Sequence, residues 1–580
     1  MRKKSLAALL GAVLIILLVG YWLRGQERQP ELPLLTLPPA QALGFIAFPG
    51  WPQAWSDVRA SRFFQRVSSP AFWQAALGPD SYAHLSQTKA SLEQQLGFPL
   101  TEQTVGPLLA REVGLALLPR QGDLSPFDVV AYVRVSSSEK LVEGLTRTFA
   151  KARQDVERET QRVEDTEIIT LRPTGAPLGL TYTFLGNLAI LSTNPAWVID
   201  AIKAQHGTAS DRLQQSPIFR EIPLEAVDSL LAYGYLDAEG LQAYVTPAPQ
   251  REAHTPAATT WRMLQTTSKM AMRATRAPGG VKVETMAFYP HNGAAQLFRR
   301  TARDGGTPPF PGVPAETLYM THLDLIDLQQ VGSLLSQLKA EGPPDGLVQG
   351  LEQFRRRTGA DLERDVLPIF TGAIGLGITS SPGPQGGRAM PLPGIFLTLG
   401  VRDEQKAMQL IQSVGTKTGG PMFTQLFQSA AYDGHDILSV ANPLLPVKPG
   451  YVISRKQLIV ASDKDLLQHM LDAASGRTPP LVQTDAYRQL FKQFRIKGGS
   501  MTFLDLAMAL EKAKTWWAQI GFLAKAFGQY DADKMPPQLA GADPWMLTEL
   551  LRPIRYVASM SQGETQGVRT EALITLEDIK

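Results

Sequence analysis

The two halves of the chain repeat one long pattern, and this repeat limits the possible folds more than any other feature. The segments YGYLDAEGL, from Tyr233, and MTFLDLAMAL, from Met501, each read as an apolar strand that ends in aromatic-Leu-Asp and leads into a helix. In the same order, GNLAILSTNPAWVIDAIKAQHG parallels KQLIVASDKDLLQHMLDAASG, and each half closes on a candidate hairpin. Elements that recur in a fixed order indicate a duplicated structural unit.

The repeat predicts two homologous tandem units at residues 40–300 and 314–580, joined by a Gly/Pro-rich linker at 301–313. In each unit several strands follow one another with short turns, as in LTYTFLGNLAILS around Gly186-Asn187. Consecutive strands favour antiparallel pairing, whereas strict alternation of strands and helices favours a parallel sheet. We therefore predict an α+β fold in which each unit is a mainly antiparallel twisted sheet covered by helices.

The recurring aromatic-Leu-Asp phrase has a structural explanation. We expect Tyr235 and Phe503 to pack in a core, because each closes an apolar strand. Asp237 and Asp505 each stand where a helix begins, and aspartate is a preferred residue for accepting the unpaired N–H groups of a first helical turn. We therefore assign both aspartates to helix capping and not to a reaction.

An uncharged apolar run at 5–23 follows the basic tail MRKK at 1–4. At 1.5 Å per residue, about 19 residues span roughly 28 Å, close to the hydrocarbon core of a bilayer at about 30 Å. A cleaved signal peptide requires a shorter apolar core and small residues before the cut, whereas GYWLR closes this run. The sequence therefore predicts an uncleaved transmembrane anchor at 5–23, followed by a Pro-rich linker at 24–39.

The basic residues before the apolar run favour an N-terminus inside the cell and a body outside it. We expect a single-pass inner (cytoplasmic) membrane protein with a cytoplasmic tail at 1–4, the lipid bilayer as the partner of residues 5–23, and the body in the periplasm. The net charge of +3 is spread along the chain, which argues against a nucleic-acid partner. The absence of cysteine excludes disulfides and cysteine-ligated metal sites.

No motif in the sequence specifies a reaction. The chain contains no GxSxG, no HExxH and no P-loop. Gly372, Gly375 and Gly377 loosely suggest a dinucleotide-binding loop, but their spacing is wrong and we interpret the run as a strand. We predict no catalytic residues, no cofactor-binding or metal-binding residues and no cofactor.

Three polar segments are candidates for a site. In THLDLIDL, His322, Asp324 and Asp327 lie close in sequence, but a metal needs three or four convergent donors, so we interpret the segment as a solvated strand end and a helix cap. DGHD, around His435, has the composition of a hairpin turn. The insert TSSPGPQGGRAMPLPG at 379–394 is either a floppy hairpin tip or a mobile contact loop.

Several segments together resemble a known family. They are the opening strand PAETLY, the strand GAIGLG, the strand-to-helix step KQLIVASDKDLL and the terminal hairpin. This combination resembles DUF3352, a bacterial envelope family of unknown function. The resemblance covers most of the chain after residue 40. It implies an N-terminal hydrophobic segment and an extracytoplasmic body, and it brings no catalytic residues to assign.

Three functions are compatible with these features. The first is a non-catalytic, membrane-anchored envelope protein that binds or scaffolds a partner protein. The second is a protein that binds an apolar ligand or lipid, in a groove between the units or between sheet and helices. The third is an enzyme, which would require a cleft with paired titratable groups. The lack of motifs favours the first, and we predict that the chain is not an enzyme.

Overall fold

The computed structural model divides the chain into two compact units, which meet in sequence between Phe288 and Tyr289. We call them unit 1 and unit 2 and describe each by itself. Apart from a few single positions, the described residues are 34–49, 112–120, 127–134, 156–173, 179–216, 230–242, 267–289, 309–324, 345–380, 393–420, 426–440, 448–526, 551–564 and 566–576.

Ten strands and two helices are described in unit 1. Two-residue turns connect several of the strands, and their left-handed residues, such as Glu164, Gly186 and Gly279, suit the tight reversal of a hairpin. The strands are β1 (Gly44–Phe48), β2 (Glu112–Pro119), β3 (Phe127–Arg134), β4 (Val156–Val163), β5 (Thr166–Pro173), β6 (Leu180–Leu185), β7 (Leu188–Ser192), β8 (Leu230–Asp237), β9 (Lys269–Ala277) and β10 (Gly280–Phe288), and the helices are α1 (Pro195–Gln205) and α2 (Ala238–Gln242).

All neighbouring strands of this sheet are antiparallel, in the order β4-β5-β6-β7-β3-β2-β1-β8-β9-β10. Strand β1 is central, and its Phe45 pairs with Ala116 on one side and Tyr235 on the other. Helix α1 begins at the cap Asn194, whose side chain accepts the Ala196 N–H. Val198, Ala201 and Ile202 of α1 join these strand residues in one buried core.

Ten strands and five helices are described in unit 2. The strands are β11 (Thr317–Leu323), β12 (Phe370–Thr379), β13 (Gly394–Val401), β14 (Phe427–Tyr432), β15 (His435–Val440), β16 (Gly450–Ser454), β17 (Gln457–Ala461), β18 (Ser500–Asp505), β19 (Ile554–Gly563) and β20 (Gly567–Leu576). The helices are α3 (Asp345–Thr358), α4 (Glu404–Gly419), α5 (Lys464–Ser475), α6 (Asp485–Lys492) and α7 (Leu506–Ala526).

The sheet of unit 2 is also antiparallel throughout, in the order β14-β15-β16-β17-β13-β12-β11-β18-β19-β20. This is the order of unit 1, strand for strand. Helix α5 packs against β15, β16 and β17 with buried side chains such as Leu467 and Met470. Helix α4 contacts β16 and β17, where Ala407 joins Tyr451 in a second buried cluster.

The structure confirms an α+β chain built mainly of antiparallel sheet. The hairpins predicted at Gly186-Asn187, at DGHD and at the close of each half are present, the last two as β9–β10 and β19–β20. Within the described residues no helix is long and apolar enough to cross a membrane. The predicted tail at 1–4 and anchor at 5–23 lie outside those residues, and the linker at 24–39 lies mostly outside them. The proposed domain bounds stay predictions.

Candidate functional site

Both aspartates of the repeated phrase cap helices, as the sequence predicts. Asp237 Oδ1 accepts the Gly240 N–H at 2.7 Å, and Asp505 Oδ1 accepts the Met508 N–H at 3.0 Å. Burial raises the pKa of the Asp505 carboxyl, although the bond from Met508 opposes the shift. The aromatic residues of the same phrase, Tyr235 and Phe503, are both buried. The phrase is therefore accounted for by packing and capping.

The interpretation of THLDLIDL as a solvated strand end is wrong. His322 and Asp324 are each 1% exposed. The reason is the period of two along β11: Leu318, Met320, His322 and Asp324 share one face, and that face is buried. The Asp324 N–H donates to Ser500 Oγ at 2.8 Å. Asp327 lies outside the described residues.

No group of three potential metal-ligating side chains occurs in the described part of the chain. DGHD forms the β14–β15 turn, with Asp433 and Gly434 in the left-handed region. His435 follows the turn, and its Nε2 lies 3.4 Å from Ser454 Oγ. The prediction that the chain holds no catalytic, cofactor or metal residue stays a prediction.

The glycine run of β12 belongs to a strand and not to a phosphate-binding loop. Gly377 pairs with Phe396 on β13, and a Cβ at Gly377 would overlap the Phe396 ring. A Cβ at Gly375 would overlap Thr398 Oγ1 in the same way. These glycines therefore make room for larger side chains of the neighbouring strand. Residues 381–392 of the predicted loop at 379–394 lie outside the described residues.

A buried carboxylate in unit 1, that of Asp128, contacts four neighbouring side chains. Thr193 Oγ1 donates to its Oδ1 at 3.4 Å. Asp128 is fully buried at the start of β3. Its Oδ2 accepts from Asn194 Nδ2 at 2.8 Å and from Trp197 Nε1 at 2.9 Å, while Arg120 Nε lies 3.5 Å from Oδ1. A buried charge needs such partners. The cluster ties β3 to the first turn of α1, which is a structural role.

The other face of β12 and β13 carries the feature that sequence reasoning missed. Leu323, Ile374, Leu376 and Ile395 are 50%, 43%, 39% and 47% exposed. Leu323 pairs directly with Ile374, and Ile395 pairs with Ile378, which lies two residues beyond Leu376 on the same side of the sheet. The four side chains therefore form one continuous aliphatic surface, which we call the apolar face.

The apolar face has no equally exposed counterpart among the described residues of unit 1. Val113 and Leu115 flank Gly114 as Ile374 and Leu376 flank Gly375. Val113 is only 6% exposed and Leu115 is half-buried. The sequence signal for this surface is that β12 carries aliphatic residues or glycine on both of its faces. In an antiparallel sheet such a strand indicates that both faces are covered, and here one is not.

Comparison with known proteins supports the family resemblance drawn from the sequence, but over a shorter part of the chain than most of the region after residue 40. A model of the family described as "Protein of unknown function (DUF3352)" matches residues 313–526. No curated protein matches the chain. A solved structure described as "Structure of crystal form III of TP0453" is 9% identical, covers 48% of this chain and 89% of that chain, and has a TM-score of 0.24, which supports no inference. Over residues 313–526 the chain is therefore DUF3352-like, a family whose function is unknown.

Proposed function

We propose that this protein is a non-catalytic, membrane-anchored envelope protein that binds a partner protein through the apolar face of unit 2. The single observation that carries the proposal is the exposure of Leu323, Ile374, Leu376 and Ile395 as one surface. Scattered exposed aliphatic residues are ordinary on a protein surface. Contiguous ones, by contrast, mark sites of interaction.

The size of the apolar face agrees with the centre of an interface. Burying one such side chain completely is worth about 1.5–3 kcal/mol, and these four are already about half buried. Covering all four would therefore contribute roughly 3–6 kcal/mol. Association itself costs about 4–15 kcal/mol, so a stable complex requires further contacts around the apolar face. A partner protein supplies such a rim, whereas a single acyl chain supplies little.

The cellular setting and the duplication form part of the same proposal. The basic tail and the apolar run at 5–23 support a single-pass anchor with the body in the periplasm, and the mild, dispersed charge supports a partner other than nucleic acid. The common strand order of the two sheets supports two homologous tandem units. Fusion of a periplasm-dependent reporter after Lys580 tests the orientation: activity is expected, and a reporter active only in the cytoplasm would overturn this part.

The binding proposal is tested with a photo-crosslinking amino acid at Ile395 of the full-length protein in intact cells. We expect a discrete adduct with another protein, identified by mass spectrometry. The Leu376→Ser variant should reduce that adduct about tenfold, because it places a hydroxyl in the centre of the apolar face. The Val482→Ser variant is the matched control, since Val482 is 36% exposed but lies in the turn before α6.

The outcomes separate the hypotheses. A protein adduct that falls in Leu376→Ser and persists in Val482→Ser supports partner binding. An adduct with the mass of a lipid would instead favour the apolar-ligand function. The absence of any adduct, or one that Leu376→Ser leaves unchanged, would overturn the apolar face as a binding surface.

A further inference from the structure

In each unit a short segment leads into the central strand and is held in the same way. We call residues 34–42 the first lead-in segment and residues 309–316 the second. In unit 1 the Leu213 N–H donates to Pro38 O at 3.0 Å. In unit 2 the Leu481 N–H donates to Val313 O at 2.8 Å. Each unit also has an isolated antiparallel bridge at this point, Pro39–Arg212 in unit 1 and Pro314–Pro480 in unit 2.

A permanently charged pair secures the first lead-in segment. Arg212 binds Asp200 of α1 through two bonds, Nη1 to Oδ2 at 2.7 Å and Nη2 to Oδ1 at 2.9 Å. The same Nη1 donates to Leu37 O at 3.0 Å, so the guanidinium joins helix and segment. Arginine stays charged at every physiological pH. This attachment is therefore insensitive to pH near neutrality.

In unit 2 a titratable pair connects the helix to the lead-in segment. Asp200 and His469 each lie seven residues before the left-handed glycine at the end of their helix, Gly207 or Gly476. His469 Nε2 lies 2.8 Å from Glu316 Oε1 on the second lead-in segment, and both side chains are partly exposed. Histidine changes charge close to physiological pH. A proton on His469 therefore decides whether this contact is an ion pair.

We propose that the His469–Glu316 pair is a pH-dependent clasp that holds the second lead-in segment against α5 in mild acid and loosens it in mild alkali. The second lead-in segment packs tightly against α5 next to the His469–Glu316 pair. Phe310 is buried, and a Cβ at Gly312 would overlap Met470 O, so the chain lies directly on the helix at that point.

The direction of the pH dependence follows from how the contact shifts the pKa values of the two side chains. The bond to Glu316 raises the pKa of His469. Partial burial raises the pKa of Glu316, but the bond from His469 and a backbone bond outweigh burial and lower it overall. The contribution of His469 is therefore complete below its unfolded pKa of about 6.5 and is lost as pH rises through its higher folded value. The contribution of Glu316 is present above about pH 4.5 and is lost as pH falls through its lower folded value.

The surroundings of His469 leave Glu316 as its titrating partner. Among the described residues, the charges that act on His469 are Glu316 and, one turn along α5, Asp472. Asp472 accepts hydrogen bonds from the Tyr432 hydroxyl and from Arg477 Nε. The strands packed against α5, with the turn between β16 and β17, carry the further charged or titratable residues His435, Asp436, Tyr451, Arg455 and Lys456.

The test is hydrogen exchange of the full-length protein in detergent at about pH 6 and about pH 8.5, corrected for the intrinsic rate. Peptides that span Leu481 report the bond to Val313. We expect their protection to fall about threefold at the higher pH, because a partly exposed ion pair contributes only modestly to stability. Peptides that span Leu213 form the internal control, because Arg212 and Asp200 hold the equivalent bond at both pH values.

Two variants separate the clasp from general loosening. In His469→Gln the protection at Leu481 should be low and independent of pH, whereas in His469→Lys it should stay high at about pH 8.5 because lysine remains charged. Equal protection at both pH values in the wild type would overturn the clasp. So would pH dependence that survives in His469→Gln.

Discussion

The packing of Phe396 over Gly377 makes a quantitative prediction for Gly377→Ala. The φ of Gly377 is not in the left-handed region, so alanine is compatible with the backbone there. The cost comes from the new methyl, which would occupy the position of the Phe396 ring, and that ring is 1% exposed and cannot move into solvent. Overpacking of this kind costs about 1–3 kcal/mol. Removing glycine from the unfolded chain returns about 0.4–1 kcal/mol.

We therefore expect Gly377→Ala to lower the free energy of unfolding of unit 2 by about 1–2 kcal/mol. Urea titration followed by hydrogen exchange measures it, because peptides report on each unit separately and the two need not unfold together. Gly350→Ala is the matched control. Gly350 lies within α3, and no atom lies within 4 Å of the position that a methyl would take there, so alanine should stabilise the unit by up to about 1 kcal/mol.

A double-mutant cycle with Phe396→Leu isolates the cause. Phe396→Leu destabilises the unit because it leaves a cavity, but it also removes the ring that collides with the methyl. In that background Gly377→Ala should cost at least about 1 kcal/mol less than in the wild type. The reasoning is refuted if Gly377→Ala is neutral, or if its cost is the same with phenylalanine and with leucine at position 396.

Three further predictions concern other sites. Asp128→Ala should lower the free energy of unfolding by about 3–5 kcal/mol, because Trp197 Nε1 and Asn194 Nδ2 lose their acceptor and Arg120 loses its charge partner; thermal unfolding measures this, and a cost below about 1 kcal/mol would contradict it. Asp463→Ala should lower the free energy of unfolding by about 0.5–2 kcal/mol, because Asp463 caps α5. Asp463→Asn is the control and should be nearly neutral in the same assay. Leu376→Ser should lower the free energy of unfolding by about 1–2 kcal/mol, because only the buried part of the side chain is lost, while it reduces the adduct formed at position 395; a loss above about 3 kcal/mol would show that the face is covered.

The features that could be predicted from the sequence are those set by local chemistry. Hairpins with Gly186-Asn187 or Pro278-Gly279 reverse the chain through residues suited to the turn, so neighbouring strands were found without tertiary information. Asp237 and Asp505 cap helices through bonds to residues three positions away. The antiparallel character of the sheet followed from the same short connections.

The features that escaped prediction depend on contacts distant in sequence. His322 is polar near a strand end, and it is buried because it lies on the covered face of β11, whereas the adjacent Leu323 lies on the exposed face. The exposure of Ile374 depends on whether another element covers that face, which a strand pattern does not encode. Asp200 and His469 lie at the same distance before the glycine that ends their helix, but their partners, Arg212 and Glu316, are distant in sequence or on another segment, so the sequence pattern does not reveal the two pairs.

The pairing of β1 has a consequence for how the chain folds during synthesis. Ile46 pairs with Gly234, so the central strand lacks one neighbour until about 190 further residues have been made. At roughly 5–20 residues per second, that delay is about 10–40 s. Until β8 has been made, the backbone N–H and C=O groups along that edge of β1 lack their partners and can pair with another chain. Chaperone capture in that interval should matter more for this protein than for one built from local contacts.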